Sequence, residues 1–151
     1  MVEIIRVGSE AEMKLVHDIR MEVFVREQGV PVELEMDELD DEAVHVLAYL
    51  DGEPAGCGRL LLKSELAKLG RVAVRKNMRR HGLGSGICKL LIAIASNNGA
   101  KRICLNAQLT SVAFYTSLGF EKEGEVFMEA GIEHIKMVSA NAEVESNERI
   151  R

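Results

Sequence analysis

The stretch RRHGLGSG at residues 79–86 holds the residue types whose spacing points most directly to chemistry. Arg79, Arg80 and His81 lead into three alternating glycines, Gly82, Gly84 and Gly86, and Leu83, Ile87, Leu90, Leu91 and Ile94 then recur at helical spacing. A helix start leaves several backbone N–H groups unpaired and carries roughly half a positive charge, and glycines let a ligand approach those bare amides closely. The chemistry on offer is anion binding, with a phosphorylated ligand as the expected occupant. Two other phosphate motifs do not fit. No G-x-x-x-x-G-K-[ST] string is present, and a G-x-G-x-x-G fingerprint needs an acidic residue about 20 positions on, where this chain has Cys104 and Asn106. A strand-to-helix turn whose glycines serve packing alone is the alternative reading.

The elements that must present this loop lie on both sides of it. Residues 2–7 read as a short strand, and Ser9-Glu10-Ala11-Glu12 has the S-x-x-E form of a helix-capping box. Leu15, Val16, Ile19, Val23 and Phe24 give the following helix an apolar stripe, which Gly29-Val30-Pro31 ends. Residues 35–42, EMDELDDE, place six carboxylates in eight positions and read as a solvated loop able to draw a cation towards a nearby pocket. Strands at 44–50 and 55–62 pair around Asp51-Gly52, and a third at 67–74 leads into the glycine loop, whose helix stops at Gly99. A strand at 101–107, a helix capped by Thr110 and running to Leu118, and a hairpin of 120–127 with 132–138 around Glu129-Ala130-Gly131 complete the order. The pattern β-α-β-β-β-α-β-α-β-β predicts an α/β (α+β) domain over residues 1–139, with a mixed, mostly antiparallel sheet of six or seven strands flanked by helices. Residues 140–151 have little to bury and read as a weakly helical or disordered tail.

Composition narrows the class. A 47% hydrophobic share suits one soluble domain of this length, and a net charge of −5 argues against the basic stripe of a nucleic-acid binder. Cys57, Cys88 and Cys104 are odd in number, lack C-x-x-C spacing and sit in apolar runs, so they read as buried thiols in a reducing cytoplasm, not as metal ligands or bridges. No apolar run approaches the ~18 residues of a membrane span, and no leader pattern opens the chain. A cytoplasmic protein with neither membrane nor nucleic-acid partners is the expectation.

Arg79-Arg80-His81-Gly82-Leu83-Gly84 resembles the R/Q-x-x-G-x-G/A signature of the GCN5-related N-acetyltransferases (GNAT), whose loop cradles the pyrophosphate of acetyl-coenzyme A. Ala113-Phe114-Tyr115-Thr116-Ser117-Leu118-Gly119-Phe120 is similar to that family's A-x-x-Y-x-x-x-G-F ending, with the alanine one position closer to the tyrosine. RMEVFVREQGVP from Arg20, Asp37 to Asp40, His45, Asn106-Ala107-Gln108 and Glu129-Ala130-Gly131-Ile132-Glu133-His134 look like the ElaA-like branch. The resemblance runs from Val2 to Val138 and implies the GNAT acyl-CoA N-acyltransferase fold. It further implies that the third and fourth strands of the large sheet splay apart with coenzyme A in the gap, and that acetyl-CoA is the co-substrate.

Site roles follow from the resemblance and from elementary acid–base chemistry. Amides of Arg80, His81, Gly82, Leu83, Gly84 and Ser85 would hold the pyrophosphate, with Arg79 and Arg80 adding charge; Val72, Ala73 and Val74 would bond the pantetheine arm and an oxyanion, and Asn106 would hold the arm from the next strand. A phenol with pKa near 10 at Tyr115 can protonate a departing thiolate of pKa near 8.5. An alkylammonium is neutral in only about one molecule in a few thousand at pH 7, so a base is needed. His134 is the first choice, since relatives with a G-x-x-H-x-x-M ending place a histidine there, and His45, Glu27 and Glu35 follow. A packed tyrosine and a structurally bonded sheet histidine are the alternatives. Arg20, Phe24, Glu27, Gln28 and His45 are expected around the acceptor, a primary amine of a small molecule or peptide. The acidic run and Glu27 favour a cationic amine, whereas Arg20 and Arg26 point the other way. A non-catalytic acyl-CoA sensor and an interaction module docking a basic partner stay open, as does a homodimer through the edge of the last hairpin.

Overall fold

A computed structural model describes residues 1–139, and the expected tail at 140–151 lies outside the described residues. Strands β1 (Val2–Arg6), β2 (Val44–Leu50), β3 (Glu53–Lys63) and β4 (Leu66–Val74) pair antiparallel in sequence order. β5 (Arg102–Gln108) runs parallel to β4, and β7 (Ile132–Ser139) then β6 (Phe120–Glu129) complete a seven-stranded sheet of order β1-β2-β3-β4-β5-β7-β6. Helix α1 (Glu10–Arg20) covers one face and α3 (Leu83–Asn97) the other; α2 (Val32–Glu35) is a single turn, and α4 (Val112–Ser117) packs on β5 and β6.

Alternation along the strands explains the two faces. In β2, Val46 and Ala48 pack with Leu83, Ile87 and Leu91 of α3, while Leu47 packs with Val16, Ile19 and Val23 on the α1 side. Gly58 of β3 lies so close beneath α3 that an added methyl would stand 2.7 Å from Ile87 and 2.8 Å from Leu91. The hairpin turns carry the expected backbone: Asp51 and Gly52 have φ of 51° and 86°, and Ala130 and Gly131 have 52° and 78°. Both centres lie in the left-handed region that two-residue hairpins demand.

Helix α1 begins as its capping box predicts, with the Ser9 hydroxyl accepting from the Glu12 amide at 3.1 Å and Glu12 Oε1 accepting from the Gly8 amide at 2.7 Å. It does not end at Arg20 but widens into a π-helical segment, Met21–Glu27, closed at Gly29 with φ 76°. The helix at 110–118 differs in its start: Thr110 sits in a 3₁₀ turn, Leu109–Ser111, and α4 has no side-chain cap.

Two features make the site. An extra residue in β4 sets Arg59 against Gly70 but Cys57 against Ala73, and Arg71 in the bulge has φ 50°. The bulge reverses which face odd-numbered residues meet, so Ala67 and Leu69 belong to the α3 core while Ala73 belongs to the α1 core. Second, β4 and β5 pair only from Leu66 to Lys68 against Arg102 to Cys104, after which they diverge. The splay lies between the fourth and fifth strands in chain order, not the third and fourth.

The acidic run is only half a solvated loop: Glu38, Asp41 and Glu42 are exposed, but the other three carboxylates are not free. Glu35 is 2% exposed, and Glu35, Asp37 and Asp40 are engaged by Arg20, Arg59 and Arg71. Buried arginines in apolar surroundings require carboxylate partners, and this run supplies them.

Candidate active site

A cavity of about 510 Å³ opens where β4 and β5 part, bordered among others by Phe24, Gln28, Arg71, Asn106, Tyr115 and His134. The π-helical segment turns both Phe24 and Gln28 into it, and Gln28 Oε1 accepts from Gln108 Nε2 of β5 at 2.9 Å. Such segments re-aim side chains at functional sites. Asn106 also faces the cavity and donates to Glu129 Oε1 at 3.1 Å, which ties the last hairpin's turn to the floor of the gap.

His134 reaches the cavity from β7, paired with Gln108 on β5 and stacked on Phe127 of β6 at 5.9 Å. Its Nδ1 lies 2.7 Å from the Ile132 carbonyl oxygen. A carbonyl only accepts, so Nδ1 carries the proton and Nε2 of the neutral ring keeps a lone pair. That is the tautomer of a base. Tyr115 enters from α4, edge-on to Phe114 at 4.9 Å and to Phe120 at 6.1 Å. Burial pushes its phenol above the ordinary value of 10, with Cys88 adding to the rise. The hydroxyl therefore holds its proton until a strong base forms beside it.

Beyond Lys68 the β5-facing edge of β4 has no strand partner among the described residues. The Arg75 amide donates to Ala55 of β3 at 2.8 Å, so alternation turns the Val72 and Val74 amides towards the gap and that of Ala73 towards β3. Of the three residues expected on the pantetheine arm, Ala73 is therefore turned away.

The glycine loop ends in α3, whose first i→i−4 bond runs from the Gly86 amide to the Gly82 carbonyl at 3.1 Å, and Gly82 at its start supplies no side-chain cap. Gly82, with φ 80°, faces open space. The other two glycines do different work: an added methyl would stand 3.6 Å from the Phe114 ring at Gly84 and 2.5 Å from Ile4 at Gly86. Leu83 is buried in the core, and only its amide is offered to a ligand. Arg80 and His81 are exposed, Arg80 with φ 71°.

Arg79 is not a free phosphate clamp. Its Nε donates to the Val74 carbonyl at 2.9 Å, and its two terminal nitrogens grip Glu27 at 2.9 and 2.7 Å. These bonds hold the Glu27 carboxyl below its ordinary value, which removes Glu27 as a base, and Glu27 does not border the cavity. Arg20 and His45 likewise do not contact the acceptor space. Arg20 is 1% exposed and bonded to Glu35 and Asp40, and His45 is buried with Nε2 3.0 Å from the Asp40 carbonyl. Both belong to the ionic floor beneath the cavity.

The family model described as an acetyltransferase (GNAT) domain matches residues 7–140. The chain belongs to the GNAT acetyltransferase family. Among its relatives is the Bacillus subtilis protein named uncharacterized N-acetyltransferase YjcF, 41% identical over 134 residues that span 86% of this chain and 94% of that one. Escherichia coli ElaA is 29% identical over 85% of this chain and 88% of its own, and its crystal structure superposes with a TM-score of 0.79 over 92% and 99%. A crystal structure described as an acyl-CoA N-acyltransferase from Pseudomonas aeruginosa superposes with a TM-score of 0.82 at 29% identity, covering 93% of this chain and all of that one.

Within this GNAT domain, the sequence offered Glu35 only as a runner-up base and gave no site role to Asp37, Arg59 or Arg71, all of which border the cavity. The signals were present. An isolated glycine inside a strand pattern, Gly70, marks a bulge, and lone arginines in apolar strands call for buried partners.

Proposed function

We propose that this GNAT acetyltransferase moves the acetyl group of acetyl-CoA directly to a primary amine in a ternary complex. The observation that carries the reading is that His134 and Tyr115 border one and the same cavity at the β4–β5 gap. The open Gly82 turn and the uncapped start of α3 fit a diphosphate, and the free edge at Val72 and Val74 fits an extended amide-bearing arm.

In this reading His134 Nε2 takes a proton from the acceptor's ammonium, and the freed amine attacks the thioester carbonyl carbon. An inward amide of β4 stabilises the oxyanion. As the carbon–sulfur bond breaks, the Tyr115 hydroxyl protonates the departing sulfur. The second proton of the attacking nitrogen passes to the Tyr115 oxygen through water, His134 gives its proton to solvent, and the products are the amide and the free thiol. A raised phenol is a weaker acid, but the thiolate develops in the same dry surroundings, which raise its proton affinity as well. An acyl-cysteine route is disfavoured: burial pushes the Cys57 and Cys88 thiols up to about 12, so little thiolate forms.

The test follows free thiol released from acetyl-CoA with a panel of amines. His134→Ala is expected to lower kcat by about a hundredfold while leaving acetyl-CoA binding near wild type. An unchanged kcat in the folded variant removes His134 from the mechanism; saturable acetyl-CoA binding with no turnover across the panel supports a sensor instead.

A further inference from the structure

We propose that Glu35 Oε1 is the specificity-determining contact of the acceptor site, receiving an uncharged hydrogen-bond donor that the acceptor carries apart from its reacting amine. The proposal rests on the acyl-transfer reading above and names the substrate class within it. Glu35 borders the same cavity as His134 and Tyr115, and its side chain is 2% exposed. One carboxylate oxygen is fully engaged: Oε2 accepts from Arg20 Nε at 2.6 Å and lies 3.3 Å from Arg71 Nε. The other, Oε1, is buried with no hydrogen-bond partner among the described residues. A buried carboxylate oxygen left unmatched is costly, and one on a cavity wall is satisfied when a donor enters.

The surroundings decide what kind of donor. Arg20, Arg59 and Arg71 balance Glu35, Asp37 and Asp40 in one linked set of ion pairs. A second ammonium would therefore bring a charge that nothing in the set compensates, whereas an amide N–H or a hydroxyl meets Oε1 without one. The acceptor is thus an amino amide or an amino alcohol, with the Phe24 and Leu34 side chains covering the carbon skeleton between its two polar ends.

The experiment compares, with the wild-type protein, straight-chain alkylamines of graded length against amines of matched length ending in a hydroxyl, a primary amide or a second ammonium. Thiol release gives kcat/KM, and calorimetric titration of the same amines into protein saturated with coenzyme A gives binding without chemistry. A hydroxyl or amide advantage of about tenfold or more over the plain amine is expected, because a site built around a hydrogen bond rejects the analogue lacking it. Equal turnover of all four classes overturns the proposal while leaving acyl transfer intact, and an advantage confined to the diamine also overturns it. No turnover but the same preference in calorimetry upholds the Glu35 contact and removes the transfer reading. Glu35→Gln, checked for folding by thermal melting, is expected to reduce the advantage to within about twofold. A folded Gln variant that keeps the wild-type preference refutes the assignment; if the variant does not fold, the wild-type series decides.

Discussion

Tyr115 differs from phenylalanine by a single hydroxyl, and its ring already sits in an aromatic nest with Phe114 and Phe120. Tyr115→Phe therefore isolates the proton donor from the packing. We expect kcat to fall by about a hundredfold, the KM for acetyl-CoA to change little, and the melting temperature to stay level, all measurable with one preparation; undiminished turnover removes the acid role. Gly82 permits the complementary experiment at the other end of the carrier. Its φ of 80° and the empty space beside it mean that Gly82→Ala adds backbone strain of about 1 kcal/mol and a methyl in front of the bare amides of α3. The expected outcome is a several-fold rise in KM for acetyl-CoA with kcat nearly unchanged, and a weaker thermal shift on adding the carrier. A KM that does not move places the diphosphate elsewhere.

Elements show which parts of the site a sequence can carry. The Ser9 capping box, the Asp51-Gly52 and Ala130-Gly131 turns and the Gly82 helix start were legible because each is fixed by residues within a few positions of one another. The acidic run was misread because its partners are remote: Arg20 lies 15 positions from Glu35, Arg59 lies 22 from Asp37, and Arg71 lies 34 from it. No local pattern reports such pairings. The π-helical widening that aims Phe24 and Gln28 is likewise a tertiary choice, since the apolar stripe of α1 suits an ordinary helix just as well. The closeness of α3 to the sheet is testable at Gly58, where Ile87 and Leu91 leave no room for a methyl. Gly58→Ala is expected to destabilise by about 1–3 kcal/mol in a denaturant titration, and to raise the KM for acetyl-CoA because α3 carries the proposed diphosphate turn at its first residues. A neutral substitution means that the helix shifts freely and does not register the loop on β4.

At the scale of the molecule, the ion pairs beneath the cavity join α1, α2, β3 and β4 into one wall of it, so in the proposed reading stability and substrate recognition share one set of charges. Their response to acid can be worked out. Burial alone would raise the Asp40 carboxyl, but the Arg20 and Arg59 guanidiniums overcome it and hold the group down to about 2 from 3.8. Asp37 is shifted the same way, with Arg59 and Arg71 outweighing its burial. His45 is pushed below 6.5, chiefly by burial. In each case the unfolded chain binds the proton more readily than the folded one, so stability is complete above the unfolded value and is lost as pH falls. His45 begins the loss below about pH 6.5, and the carboxylates add a steeper one from about pH 4 towards 2, with Asp40 alone worth about 2 kcal/mol. Denaturant midpoints measured from pH 8 to pH 2 are expected to be level, then to bend gently, then to fall sharply. Asp40→Asn gives up the charge that Arg20 and Arg59 share, so it is expected to be less stable at neutral pH by about 3–5 kcal/mol and to show a flatter decline below pH 4. Wild-type and variant profiles that run parallel in that acid range mean that Asp40 is not the group whose protonation loosens the wall.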